Sequence, residues 1–262
     1  MGVAEAMTGN QSTLFASAAS YYKYRPDYPE SILNLLKGTH LCAPDLLIDC
    51  GCADGRAAIR LSDSYRKIIA VDADAEMVEV ARQNIAATKT GNIVLQHRRA
   101  EELDGECAGA SVFLFGASLH WMDAEHMMRF ARTNLCKGGS VVLLGAGTIW
   151  RGKETWKALV KDSIYRWLGP ARRAGQGVYV KRKQSQSDVL RAAGLEVILE
   201  ETVRQSKTWT VDELLGALYS SSFCSPAVLG ASLSHFEDDV RERLSGVTDL
   251  SETIDFRIWA GR

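Results

Sequence analysis

The sequence predicts a doubly wound α/β protein, a mostly parallel sheet of about seven strands with helices on both faces. Three observations predict it. Short continuous apolar runs recur at 46–48, 68–71, 93–95, 112–115 and 141–144, the pattern of strands buried on both faces. Helical patterns separate them, as crossovers between parallel strands require. The first two runs end on aspartates, Asp49 and Asp72, and a glycine-containing turn follows the first.

Leu46-Leu47-Ile48 leads into the turn, and Ile68–Val71 leads into Asp72. Asp74 is placed to cap a helix with Met77, Ala81 and Ile85 on its apolar face. Ile93–Leu95 and Val112–Phe115 are the third and fourth strands, and Asp123 caps a helix carrying Met127, Phe130, Ala131 and Leu135. Lys137-Gly138-Gly139 reads as a turn before the strand Val141–Leu144. Thr210–Glu213 forms a capping box before Leu214, Leu215 and Leu218. Leu195–Leu199 and Ile254–Trp259 are the last strands, so 193–262 reads as strand, helix, strand.

Composition bounds the function. The 262 residues are 46% apolar and 24% charged with a net charge of −1, which excludes wholesale disorder and argues against a nucleic-acid binder. No apolar run reaches the roughly 20 residues of a membrane helix, and Met1–Thr13 lacks the pattern of a signal peptide. The six cysteines have no zinc-type or thioredoxin-type spacing and are expected to stay reduced in a cytoplasmic protein.

The informative segment is Asp49-Cys50-Gly51-Cys52-Ala53-Asp54-Gly55. Its small residues at 51, 53 and 55 let a ligand lie against the backbone at the carboxyl end of a strand, where open α/β sheets bind ligands. Asp72 is placed to accept hydrogen bonds from both hydroxyls of a ribose. Nicotinamide cofactors and S-adenosylmethionine (SAM) both use that geometry. A dinucleotide turn wants G-x-G-x-x-G, but the second and third positions counted from Gly51 are Ala53 and Arg56, and no other starting glycine succeeds. Asp49 and Asp54 would repel a pyrophosphate and suit the ammonium and sulfonium of SAM. A purely structural turn is the alternative.

Asp49–Gly55 together with Val71–Met77 resembles the class I SAM-dependent methyltransferases, whose first motif reads D-x-G-x-G-x-G; Ala53 replaces the middle glycine. Arg99-Ala100-Glu101-Glu102-Leu103 resembles the family's adenine-contacting loop, with Arg99 where an Asp often stands. Ser118–Asp123 resembles its "HW" segment, and Tyr21–Pro29 its "Y-x-x-x-RP-x-YP" cap. Cap and HW segment together are similar to the trans-aconitate-methyltransferase-like subgroup, which includes many natural-product enzymes. The resemblance covers 14–146 and, more weakly, 186–262.

The resemblance implies a Rossmann-like seven-stranded sheet with the last strand antiparallel. It divides the chain into an N-terminal tail and cap (1–44), a SAM-binding core (45–146), a substrate roof (147–192) and a part completing the sheet (193–262). It implies that Gly51 and Ala53 pass under the methionine part of SAM and that Asp72 holds the ribose. Ala73 and Met77 would flank adenine, Ala100 and Glu101 would approach its edge, and Gly116 and Ala117 would meet the methionine amino group. Arg25 would pair with the cofactor carboxylate and Tyr21 would cover the cofactor. His120 is the candidate general base, Tyr22 a second candidate catalytic residue, and Trp121, Tyr219 and Ser221 candidate substrate contacts.

Tryptophans 150, 156 and 167 with Tyr165 are expected to pack the roof internally, and Lys181-Arg182-Lys183 to form a solvated face. No metal is expected: His120 and His126 do not form a ligand pair. The expected acceptor is a small organic molecule methylated at N or O in specialised metabolism, or alternatively a small carboxylic acid. An RNA or protein methyltransferase, or a non-catalytic nucleotide-binding module, are the readings of other classes. A homo-oligomer is compatible with the sequence.

Overall fold

A computed structural model describes residues 17–147, 149–171, 173–174, 177–178 and 184–262; the tail before residue 17, Gly175 and Lys181-Arg182-Lys183 lie outside them. The sheet strands are β1 (Leu46–Cys50), β2 (Lys67–Asp72), β3 (Ile93–His97), β4 (Ala110–Gly116), β5 (Leu135–Ala146), β6 (Val197–Thr208) and β7 (Ser251–Gly261). Their order is β3-β2-β1-β4-β5-β7-β6. The first five run parallel, and β7 lies antiparallel between β5 and β6. The seven strands and the antiparallel last strand are as expected.

The helices are α1 (Glu30–Lys37), α2 (Arg56–Leu61), α3 (Ala75–Ala86), α4 (Ala124–Asn134), α5 (Thr155–Leu168), α6 (Gln186–Ala192), α7 (Val211–Tyr219), α8 (Pro226–Leu229) and α9 (Leu233–Leu244). Polar side chains cap α3, α4 and α7 as the sequence indicates. Asp74 accepts from the Glu76 and Met77 amides at 2.9 and 3.1 Å, and Asp123 from the His126 amide at 3.0 Å. Thr210 and Glu213 bond each other's amides reciprocally.

The apolar strand runs serve two cores. Leu47, Ile68, Val112, Leu114 and Val142 face α1, α2, α5, α7 and α9. Ile48, Ile69, Phe113, Phe115 and Val141 face α4 and α6. Adjacent residues of one strand thus enter opposite layers, so the runs show no alternation.

Three expectations change. The glycine pair at 138–139 is inside β5, which begins at Leu135; the register shifts opposite it between Ala110 and Val112, so the expected turn is an irregularity within the strand. The strand expected at Leu195–Leu199 starts at Val197 and continues through the charged stretch to Thr208, because as an edge strand paired only with β7 it can carry charge outward. Finally, three helices rather than one join β6 to β7.

Within 147–192, α5 buries Trp156, Val160 and Ile164 in the first core, while α6 buries Val189 and Leu190 in the second, beside α4. The segment therefore contributes to both layers of the sheet. The Trp156 indole donates to the Ser251 carbonyl at 3.1 Å, and Trp150 packs on Tyr165 and Phe223 at 5.8 and 5.2 Å between centroids.

Candidate cofactor site

The strand order reverses between β1 and β4: chain progression runs outward through β2 and β3, then returns to the other side. The crevice outside the carboxyl ends of those two strands is where doubly wound sheets bind ligands. Asp49, Gly51–Gly55, Asp72, Ala100, Glu101, Gly116 and Ala117 all lie at or just past carboxyl ends of β1–β4.

Alternate residues of the turn are left-handed: Gly51 (φ +76°), Ala53 (φ +50°) and Gly55 (φ +78°). This gives the spacing a physical reason. Ala53 adopts the conformation a glycine takes without strain, at a cost of roughly 1–2 kcal/mol. Gly51 is constrained twice, since a Cβ there would stand 2.5 Å from the Ser118 Cβ. Ser118 in turn donates its hydroxyl to the Cys50 carbonyl, tying the β4 loop to the β1 end. Ala117 is also left-handed (φ +56°), with its amide donating to the Leu144 carbonyl at 3.0 Å.

Asp72 is held by backbone. Its carboxylate accepts from the Ala53 amide at 2.8 Å and the Asp74 amide at 2.9 Å. Burial pushes its pKa up, and these amides oppose the rise. Asp49, 1% exposed, is raised to about 7, first by burial and then by Asp72 and Asp54. One Asp49 carboxylate oxygen is buried without a hydrogen-bond partner. A buried, unpaired acceptor costs free energy unless a donor or cation completes it.

Asp54 differs from the sequence expectation. Its carboxylate is gripped by Arg56 through Nε to Oδ1 at 2.9 Å and Nη2 to Oδ2 at 2.7 Å. A paired Asp54 exerts little net repulsion on a phosphate. The charge argument for a cationic ligand therefore rests on Asp49 and Asp72. Arg56 also donates to the Tyr22 and Arg25 carbonyls at 2.6 and 3.0 Å, which fastens the N-terminal cap to the turn.

The cap is a 3-10 helix, Ala19–Tyr24, followed by the extended Arg25–Pro29. Tyr22 is buried with Ala19 and Met77, and Ala53 packs against them. Tyr22 therefore sits on the Met77 side of the turn, among cap packing residues. Tyr21 packs edge-on to Tyr219 at 5.2 Å. Tyr24 lies over Gly216 of α7, where a Cβ would run into its ring. The Arg25 guanidinium is engaged by Ser220, through Nε to the hydroxyl at 3.0 Å and Nη2 to the carbonyl at 2.7 Å, and stands 4.1 Å from the Tyr22 ring centroid.

Of the remaining candidates, Met77 and Ala100 are buried and Ala73 is partly buried. Glu101 accepts from the Asp123 amide at 3.1 Å, linking the β3 loop to α4. His120 is exposed on a short 3-10 turn, 4.6 Å from the partly exposed Trp121 ring. Tyr219 is buried, with its hydroxyl 3.4 Å from Glu237. The Ser221 hydroxyl, just past α7, donates back to the Leu218 carbonyl. Among the described residues no group of three or more His, Cys, Asp or Glu could hold a metal ion.

One residue of the crevice was not singled out from sequence. The Tyr28 hydroxyl lies 3.2 Å from where a Cβ on Gly116 would stand, and its pKa is raised by burial and then by Asp49. A tyrosine between an Arg-Pro and a Pro reads only as part of the cap motif; its place over the end of β4 depends on how the cap folds back.

The crevice thus combines a left-handed turn, a carboxylate fixed by two amides, and a second buried acid with one oxygen lacking a hydrogen-bond partner. Residues 47–139 match the family described as "methyltransferase domain". A protein of Dictyostelium discoideum assigned as a methyltransferase is 25% identical over 119 residues, covering 44% of this chain and 43% of its own. CRG1 of Saccharomyces cerevisiae, assigned as a SAM-dependent methyltransferase, is 22% identical over 114 residues, covering 43% and 39%. The matched region thus spans about two fifths of these curated relatives. A solved structure assigned as a type II methyltransferase from Anaeromyxobacter dehalogenans aligns over 91% of this chain and 97% of its own with a TM-score of 0.62 at 20% identity, which shows the fold. Residues 47–139 thus carry a methyltransferase domain within a seven-stranded α/β sheet.

Proposed function

We propose that the whole chain is a SAM-dependent methyltransferase that methylates N or O of a small organic acceptor, in specialised metabolism. The observation that carries this reading is the pair of acids at the β1–β4 crevice: Asp72 fixed by two amides, and Asp49 with a buried oxygen left unpaired. When bound, SAM supplies a methyl group on a sulfonium, with a neutral thioether as leaving group. Asp72 would hold its ribose, Asp49 its cationic end, and Gly51 and Ala53 the methionine chain. Ala73, Met77, Ala100 and Glu101 would surround adenine, and Gly116, Ala117 and Tyr28 would face the methionine end. Arg25 would reach the cofactor carboxylate only by leaving Ser220, with Tyr21 covering the site.

The chain's remaining task is alignment and exclusion of water. His120 would take a proton from an acceptor that arrives protonated, with Trp121 and Tyr219 shaping its approach; a neutral amine needs no base. Tyr22 and Ser221 fit packing roles better, because the first is buried beside Met77 and the second is closed on the end of α7. The aromatic cap and the segment 147–192 suit an enclosed organic molecule rather than a polymer groove, and the net charge of −1 supports this. No helix among the described residues is long and apolar enough to cross a membrane; a cytoplasmic site of action is part of the proposal.

Methyl-labelled SAM incubated with the chain and separate panels of amines, phenols and carboxylic acids tests it. Label transfer to members of one panel is expected. SAM binding with no transfer to any panel, and transfer to RNA or protein instead, would overturn the small-molecule reading.

A further inference from the structure

Two cysteines lie far from the crevice and play no part in it. Cys50, Cys52, Cys107 and Cys224 are buried, whereas Cys42 and Cys136 are only partly so. The Cys42 and Cys136 Sγ atoms are 2.7 Å apart. A disulfide bond is about 2.0 Å long, so the sulfurs need to move less than about 1 Å to bond.

This approach is set by the backbone around it. Cys42 sits between α1 and β1, and Cys136 near the start of β5. The Leu41 amide donates to the Gly138 carbonyl at 2.8 Å, and the Thr39 and Ser140 hydroxyls share a hydrogen bond at 2.7 Å. Segment 39–42 is therefore clamped against 136–140 at several points, and the thiols are brought together by contacts other than their own. The Cys136 thiol is raised to about 11, chiefly by burial.

We propose that Cys42 and Cys136 form a reversible disulfide, closed by a peroxide-class thiol oxidant and reopened by a dithiol. With hydrogen peroxide, one thiolate sulfur attacks the O–O bond, giving a sulfenic acid and hydroxide. The second thiol attacks that sulfur and displaces hydroxide, which takes up a proton as water. Two thiols and one peroxide become one disulfide and two waters. The bond spans 94 positions of sequence, so it constrains the unfolded chain over a long loop. It lies at the amino ends of the parallel strands, opposite the Gly51–Gly55 turn, so cofactor affinity is expected to stay within about twofold. The proposal is independent of the functional reading above.

The test is a thiol count on the full chain. Protein treated with hydrogen peroxide or with dithiothreitol is desalted, unfolded and alkylated. Six alkyl groups are expected after reduction and four after oxidation, with a peptide linking Cys42 to Cys136 by mass spectrometry. The melting temperature of the oxidised form should be higher by roughly 5–15 °C and return with dithiothreitol. Cys136→Ser, and separately Cys42→Ala, should show five alkyl groups under both conditions. Six alkyl groups after oxidation, a link through another cysteine, sulfinic acids without a linked peptide, or loss of two thiols in either variant would overturn the proposal.

Discussion

The two halves of the crevice are built differently. On the proposed cofactor half, backbone sets the geometry: two amides fix Asp72, three left-handed residues shape the turn, and Ser118 ties the β4 loop to the Cys50 carbonyl. On the proposed acceptor half, side chains from distant segments set it: His120 is exposed, and Tyr219 is packed on Tyr21, 198 positions away. Geometry built from backbone tolerates few substitutions, whereas a wall of side chains from separate helices can be exchanged one residue at a time. That difference suits a common cofactor and a variable acceptor.

Substitutions can break the comparison. The largest effect is expected for Gly51→Ala, which combines a left-handed φ with a Cβ 2.5 Å from Ser118; about 2–4 kcal/mol of unfolding free energy should be lost in a denaturant titration. A loss under 0.5 kcal/mol would mean the turn can relax away from the β4 loop.

His120→Ala sharpens the acceptor side. A base role predicts turnover falling about 100-fold with SAM affinity within twofold. Equal losses in both would make His120 a positioning residue. Asp72→Asn keeps the shape and removes the charge, and SAM affinity should fall by roughly 10–100-fold, as loss of charged hydrogen bonds does. Unchanged affinity in calorimetry would refute the ribose assignment.

The smallest effect is a pH dependence centred on Asp49. Its folded pKa of about 7 lies above its ordinary carboxylate value. A group raised in this way favours the fold at low pH, and that contribution is lost as pH rises from about 4 through about 7. The free protein should therefore lose this increment of stability toward pH 8. Affinity for cationic SAM should move oppositely, rising by up to about tenfold between pH 6 and 8 as Asp49 ionises. Asp49→Asn should flatten both profiles; profiles like those of the parent would assign the titration to another group.

The legible parts of the sequence share one property: their cause is local. Apolar runs, the caps at Asp74, Asp123 and Thr210, and the alternate small residues of the turn all act within a few positions. The fold and the cofactor half follow from them. Ala53 was legible as a departure from glycine, but its left-handed φ needed the structure. The pairing of Asp54 with Arg56 is also local, yet sequence reading weighed the acid without its partner. What the sequence hid depends on long-range packing. Tyr28 reaches Gly116 across 88 positions, and the charged stretch of β6 is a strand only because β7 pairs with it. The glycine pair in β5 resembled a turn because its irregularity is opposed by β4, which no local signal reveals.

SAM binding at the β1–β4 crevice is tested most directly by calorimetry of the chain with SAM and with NAD, in parallel with Asp72→Asn. One SAM bound per chain, weakened by the substitution, and no measurable NAD binding are expected. Tight NAD binding without SAM binding would contradict this expectation.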